Sequence, residues 1–248
     1  MAVWAIADLH LSFGVPNKTM DLFGPEWKDH HLKIQASWKK YVASEDLVLI
    51  AGDISWAMYL ADAAIDLEWI HHLPGTKVLV RGNHDYWWSS LNKLKKILPS
   101  SIHIIQNNAF CWNDIAVGGA RLWDTPEYDF DQYIHFIEQL TNSDKEPASE
   151  EFNEKIFQRE LHRLELSLKA FDPTAKHRIA ITHYPPIGAN LQPSQASTLL
   201  EKYHVEACVF GHLHNVKADA LPFGTKNGIR YSLTSCDYLN FKLKNIFP

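Results

Sequence analysis

Short apolar runs recur along the chain, and several stop at a polar cluster. The segments VWAIADLH (3–10), DLVLIAGDIS (46–55), KVLVRGNHD (77–85), RIAITHYPP (178–186) and EACVFGHLH (206–214) all follow this pattern. Runs of Val, Ile, Ala and Leu this short read as buried strands. Residues 102–106, 115–119 and 229–235 read as further strands. Between them, apolar positions return at three- and four-residue spacing over 59–72, 89–98 and 151–171, which predicts helices. Residues 194–203 predict another, opened by a Ser194 cap. Alternating strands and helices imply a layered α/β fold.

Two stretches break the rhythm. Residues 12–30 are rich in Gly, Pro and aromatics and follow directly on His10. Residues 123–150 are acidic with a polar tail, and a short helix is predicted near 131–140. Loops of this length are often lids over a site, and plain surface excursions are the competing reading.

Composition narrows the class. With 248 residues, 46% of them hydrophobic, the chain can build one sizeable core, so a single domain over 1–248 is expected. The net charge of −5 gives no basic footprint for an extended nucleic-acid track. No apolar run approaches a membrane span, and the first residues lack the pattern of a signal peptide. Three separated cysteines, Cys111, Cys208 and Cys236, offer neither a CxxC pair nor an even count. They are expected as small core residues in a reducing cytoplasm.

The chemistry gathers where the strands stop, which is where ligands collect in an open α/β sheet. The set is Asp8, His10, Asp53, Asn83, His84, His183, His212 and His214. Every member can bind a metal or move a proton. Asp8 and His10 are two apart, as are His212 and His214, so extended backbone would put each pair on one face. Gly52, Gly82 and Gly211 each precede a member, where a sharp turn or a close approach is expected. Imidazole, carboxylate and amide oxygen suit Mn, Fe or Zn better than Ca. Eight groups exceed the needs of one tetrahedral zinc, whereas two cations sharing a carboxylate would use them. Two divalent cations outweigh Asp8 and Asp53, so the site would attract phosphate. Any one cluster alone could be a turn or a structural histidine. Five in order, each closing an apolar run, are hard to assign to turns.

The ordered set D-x-H (Asp8, His10), G-D (Gly52, Asp53), G-N-H-D (Gly82 to Asp85), T-H (Thr182, His183) and G-H-x-H (Gly211 to His214) resembles the calcineurin-like metallophosphoesterase superfamily. The resemblance implies a four-layer α/β/β/α sandwich holding two metal ions. One would be held by Asp8, His10, Asp53 and His214. The other would be held by Asp53, Asn83, His183 and His212, with Asp53 bridging. It implies a metal-bridging hydroxide as nucleophile. His84 would face the substrate, contacting phosphate or protonating the leaving group, and Asp85 would orient His84 from behind. Trp56 stands where purple acid phosphatases carry a tyrosine, and GDISWAM lacks the arginine motif of protein Ser/Thr phosphatases. The implied enzyme is a hydrolase acting on a small phosphoester. A phosphodiesterase or nuclease, or a non-catalytic scaffold of the same fold, are the alternatives.

Three further features stay open at this level. Arg81 and Arg121 are candidate substrate contacts, because arginine binds phosphate bidentately. Arg121 reads equally well as a surface or ion-paired arginine. Trp87 and Trp88 read first as core and second as pocket lining.

Overall fold

The computed structural model of the chain describes residues 1–135, 149–220 and 222–247. The first part runs β1 (Val3–Ile6), α1 (His30–Tyr41), β2 (Leu47–Ile50), α2 (Leu60–His71), β3 (Thr76–Leu79), α3 (Leu91–Leu94) and β4 (Ile102–Ile104). The second runs β5 (Phe110–Trp112), β6 (Ile115–Ala120), α4 (Glu150–Lys169), β7 (His177–Thr182), α5 (Gln195–Lys202), β8 (Ala207–Phe210), β9 (Thr225–Lys226), β10 (Ile229–Leu233) and β11 (Lys244–Phe247).

Two sheets result, ordered β11-β1-β2-β3-β4 and β5-β6-β7-β8-β10-β9. β1 to β4 are parallel, as are β6, β7, β8 and β10. The edge strands β11, β5 and β9 run antiparallel to their neighbours. Strand parity explains the layering. Val48 and Ile50 of β2 join Ile34 and Trp38 of α1 and Leu67 and Ile70 of α2 in an outer core. Leu47 and Leu49 of the same strand point the other way, into a core shared with Val117, Ile179, Ile181 and Val209 of the second sheet. Ala180, Cys208 and Phe210 pack outward against Leu161, Leu164 and Leu168 of α4 and Leu200 of α5. Both faces of each sheet are therefore covered, as parallel strands require. The order of layers is helix, sheet, sheet, helix.

The predicted helices near 59–72, 151–171 and 194–203 form, and Ser194 caps the last with a reciprocal bond pair to Ser197. The stretch 89–98 is regular only over Leu91–Leu94. α1 has no counterpart in the sequence reading. Its buried residues are His30, Ile34, Ser37 and Trp38, so its apolar stripe is little more than Ile34 and Trp38. Residues 12–30 contain two 3-10 turns, Met20–Phe23 and Pro25–Trp27. Of the helix expected near 131–140, Asp131–Tyr133 form one 3-10 turn, and 136–148 lie outside the described residues. Cys208 and Cys236 are buried, but Cys111 is exposed because it sits on the edge strand β5. Trp87 and Trp88 belong to the outer core of the first sheet.

Candidate metal centre

The loops that leave the carboxyl ends of the strands meet at one place. β1 leads to Asp8 and His10, β2 to Asp53, β3 to Asn83 and His84, β7 to His183, and β8 to His212 and His214. The backbone there is not extended. The φ angle is +59° at Asp8, +44° at His10, +50° at Asp53 and +72° at His212. Each such left-handed residue costs about 1–3 kcal/mol, and such strain gathers at functional sites. The expectation that strand alternation aligns Asp8 with His10, and His212 with His214, is therefore corrected. These residues lie beyond the strands, and left-handed turns aim them. His212 and His214 in fact face different partners: His212 Nδ1 lies 3.1 Å from Asn83 Oδ1, and His214 Nε2 lies 3.5 Å from His10 Nε2.

Two glycines make the close packing possible. A Cβ on Gly82 would collide with the backbone and carboxylate of Asp53, and one on Gly211 with the Asp8 carboxylate. No side chain fits at either position.

Two clusters of donor atoms emerge. Asp8, His10 and His214 bring ligand atoms within 4.8 Å of one another, and so do Asp8, Asp53 and His183. His183 Nε2 and Asn83 Oδ1 are 2.6 Å apart. Asp53 links the clusters, with its Oδ2 3.8 Å from His10 Nε2 and 3.6 Å from His183 Nε2. Its other oxygen accepts the His84 backbone N–H at 2.8 Å, which fixes the carboxylate's rotation.

Outer partners set the ring faces. His183 Nδ1 bonds Ala51 O at 2.9 Å, which turns Nε2 inward. His214 Nδ1 bonds Asp237 Oδ1 at 3.0 Å, and the other Asp237 oxygen accepts from Asn215 N at 3.0 Å. An imidazole held by one nitrogen and presenting the other is the usual arrangement of a metal-ligating histidine. Trp56 packs on two rings, its centroid 4.9 Å from His10 and 4.6 Å from His84. Trp27, from the 12–30 segment, lies 6.0 Å from His10 and 5.8 Å from His214. Tyr184 covers His212 with centroids 3.9 Å apart. Asp237, Trp27, Trp56 and Tyr184 were not identified as site residues from the sequence. The nearest signal was the Gly, Pro and aromatic content around Trp27.

Asp85 acts otherwise than expected. Its carboxylate accepts from Ile54 N at 2.9 Å, Ser55 N at 3.2 Å, Gly82 N at 2.7 Å and Trp87 Nε1 at 3.0 Å. No bond to the His84 ring occurs among the described residues. A buried carboxylate takes the nearest unpaired N–H groups, and here these belong to the loops after β2 and β3. Asp85 thus ties the Asp53 loop to the Asn83 loop, and reaches His84 only through the backbone.

The electrostatics fit cations. Burial pushes the Asp8 carboxyl up to about 8, against the pull of His214. Burial also raises Asp53, opposed by His84. Burial drives His183 down to about 3 and holds His10 and His212 well below the ordinary histidine value. Carboxylates without enough positive charge beside neutral imidazoles are what a pair of divalent cations would complete. His214 differs: burial lowers it, but Asp237 and Asp8 lift it to about 9.

The family model for calcineurin-like phosphoesterases matches residues 1–216. The chain belongs to the calcineurin-like phosphoesterase family. In this member, each of the two donor clusters could hold a metal ion. The Gene 66 protein of Mycobacterium phage D29 is 39% identical over 83 residues, 34% of this chain. The match spans only 40% of that relative's length. In fold, the chain resembles phosphopantetheinyl hydrolase from Mycobacterium tuberculosis, with a TM-score of 0.58 and 13% identity over 100% of this chain and 96% of that one. A protein of unknown function from Aquifex aeolicus gives a TM-score of 0.49 at 16% identity, over 98% of this chain and 95% of that one.

The two candidate arginines sit beside the centre. The Arg121 carbonyl accepts from His183 N at 3.1 Å and Tyr184 N at 2.9 Å, and its guanidinium lies over the Trp123 ring at 4.6 Å. Arg81 precedes Gly82 on the loop after β3. On another side, Trp123, Tyr128, Phe130, Tyr184 and His212 line a cavity of about 290 Å³.

Proposed function

We propose that the chain hydrolyses a small phosphoester with two divalent or mixed-valence cations, Mn, Fe or Zn by donor type. The observation that carries this is Asp53, a member of one donor cluster with His183, whose Oδ2 lies 3.6 Å from His183 Nε2 and 3.8 Å from His10 Nε2 of the other cluster. Asp8, His10, Asp53 and His214 would hold one ion, and Asp53, Asn83, His183 and His212 the other. Bound there, the ions would activate water and offset negative charge on the phosphoryl oxygens.

The chain's own groups do the rest. His84 is held below the ordinary histidine value by burial, so near neutrality its ring is uncharged and carries one N–H. That N–H can donate to a phosphoryl oxygen or to the departing oxygen. Trp56 and the Asp53-bound backbone N–H keep the His84 ring beside the donor clusters. Asp85 fixes the loop from which His84 projects.

A net charge of −5 supports a small phosphoester over an extended nucleic acid. Among the described residues no helix is long and apolar enough to cross a membrane. The three free cysteines support a cytoplasmic setting.

The test is hydrolysis of p-nitrophenyl phosphate and its bis-ester with Mn, Fe, Co and Zn, beside Asp53→Asn and His84→Ala. Wild-type turnover well above both variants is expected. Equal rates in all three, with every metal and both esters, would remove the proposal. The ratio of mono- to bis-ester turnover separates a phosphatase from a phosphodiesterase.

A further inference from the structure

A second cavity, of about 330 Å³, is lined by Arg81, Arg121, Arg163, Glu160, Gln106 and Ser90, among others. Its size is within the range of small-molecule sites. It lies beside the donor clusters, because Arg81 shares a loop with Asn83 and Arg121 is hydrogen-bonded to the loop that carries His183. Arg81 is two residues before Asn83, and the Arg121 carbonyl holds the backbone of His183.

Its charge is unbalanced. Three arginines line it against one glutamate. Glu160 is buried and already shared, 2.6 Å from Arg163 Nη1 and 3.6 Å from Arg121 Nη2, with exposed Arg159 at 3.9 Å. Among the described residues, the Nε atoms of Arg81 and Arg121 are both buried without a hydrogen-bond partner. Buried N–H donors of a permanently charged group are costly to leave unmade. Trp123 under Arg121 holds one fork in place. Ordered guanidinium forks with spare donors match the oxygens of a phosphate.

We propose that this cavity is a subsite for a second phosphate group, so that the preferred substrate is a small molecule carrying two phosphates. One is cleaved at the donor clusters and the other is gripped by Arg81, Arg121 and Arg163. The inference rests on the phosphoesterase reading for the first phosphate only. The cavity's grip on an anion stands apart from it.

Two measurements test the pair separately. The first is calorimetric titration of the full-length, metal-stripped protein with inorganic phosphate. Saturable binding is expected, weakened roughly tenfold in Arg163→Gln. Arg163 is half exposed and Arg121 stays beside Glu160, so this variant should fold, and circular dichroism checks that it does. Arg163→Lys should fall between the two. No saturable binding, or equal binding by Arg163→Gln, overturns the subsite. Acetate binding as tightly as phosphate would make it a carboxylate site and overturn the assignment to phosphate. The second is kcat/KM of the metal-loaded enzyme for adenosine 3′,5′-bisphosphate against AMP. The bisphosphate should be preferred, and Arg163→Gln should shrink the preference roughly tenfold through KM. No preference in the wild type overturns the substrate class. Phosphate binding that depends on Arg163, with no hydrolysis of any ester, would support the anion cavity and remove the phosphoesterase reading.

Discussion

Asp46 and Asp8 are both buried aspartates of the first sheet, one at the amino end of β2 and the other just past the carboxyl end of β1. Their surroundings differ. Asp46 accepts from Ala2 N at 2.7 Å, Ala43 N at 3.0 Å and the Trp4 indole at 3.1 Å. Burial raises its pKa, but these bonds more than offset that and leave it lowered. Asp8 accepts from His212 N at 3.1 and 3.2 Å, and stays raised to about 8. One carboxylate is stabilised until it needs nothing more. The other is left short of positive charge. A buried acid whose hydrogen bonds meet its charge and one left short of positive charge differ in this respect more than in burial.

The largest test of that contrast is Asp53→Asn. It removes the charge of the oxygen that reaches His10 of one cluster and His183 of the other. Hydrolysis of p-nitrophenyl phosphate should fall by more than the roughly 10–100-fold loss typical of an outer partner. Metal content per chain, read by mass spectrometry, should fall with it. Full metal loading in the variant would mean that Asp53 is not the link.

Next in size is Asp237→Asn. Asp237 belongs to neither donor cluster, but holds His214 Nδ1 and Asn215 N. Its loss frees the ring, so metal affinity should drop roughly 10–100-fold. A titration against a competing chelator measures this. An unchanged affinity would reduce Asp237 to a loop tie like Asp85.

The ease of reading these residues in the sequence follows the same division. Asp8, Asp53, Asn83, His183 and the two histidines after β8 each close an apolar run, so local pattern exposes them. The layered fold follows from the same runs. Asp237 was invisible, because it lies more than twenty residues from the histidine it orients and ends no ligand motif. Trp27 and Tyr184 act by ring packing, which has no spacing signature. α1 was missed because a two-residue apolar stripe barely registers as helical period. The role of Asp85 was misjudged because adjacency to His84 in sequence says nothing about which N–H groups the fold leaves unpaired nearby. β11 was missed because its partner, β1, lies at the other end of the chain.

A third test uses pH on the metal-stripped protein. Asp8 is raised to about 8 and His214 to about 9, so both hold protons in the folded chain that the unfolded chain has released above about pH 6.5. The folded state then binds more protons, and its stability falls as pH rises from about 6.5 to about 9. Below that window the lowered His183 works in the opposite sense, because unfolding lets it take up a proton. Melting temperatures at steps between pH 6.5 and 9 should decline for the stripped protein. Loading with Mn or Zn should flatten the decline, since the cation replaces the proton. A stripped protein that gains stability over the window would contradict the picture of Asp8 as an acid short of charge.

The smallest expected effect on the centre comes from the other end of the sheet. Asp46→Asn keeps the size of the side chain but turns one acceptor into a donor facing an N–H group. Lost charge-assisted bonds and one unpaired N–H should cost about 1–3 kcal/mol of stability, read from urea unfolding. The sign with pH is opposite to that of Asp8. A lowered carboxylate contributes stability above its ordinary pKa of 3.8 and loses it as pH falls, so the variant's deficit should shrink in acid. Metal affinity should match the wild type, because Asp46 sits at the far end of the strands from the donor clusters. If Asp46→Asn weakened metal binding beyond its effect on folding, the two ends of the sheet would be coupled. The division between structural and cation-binding acids would then have to be withdrawn.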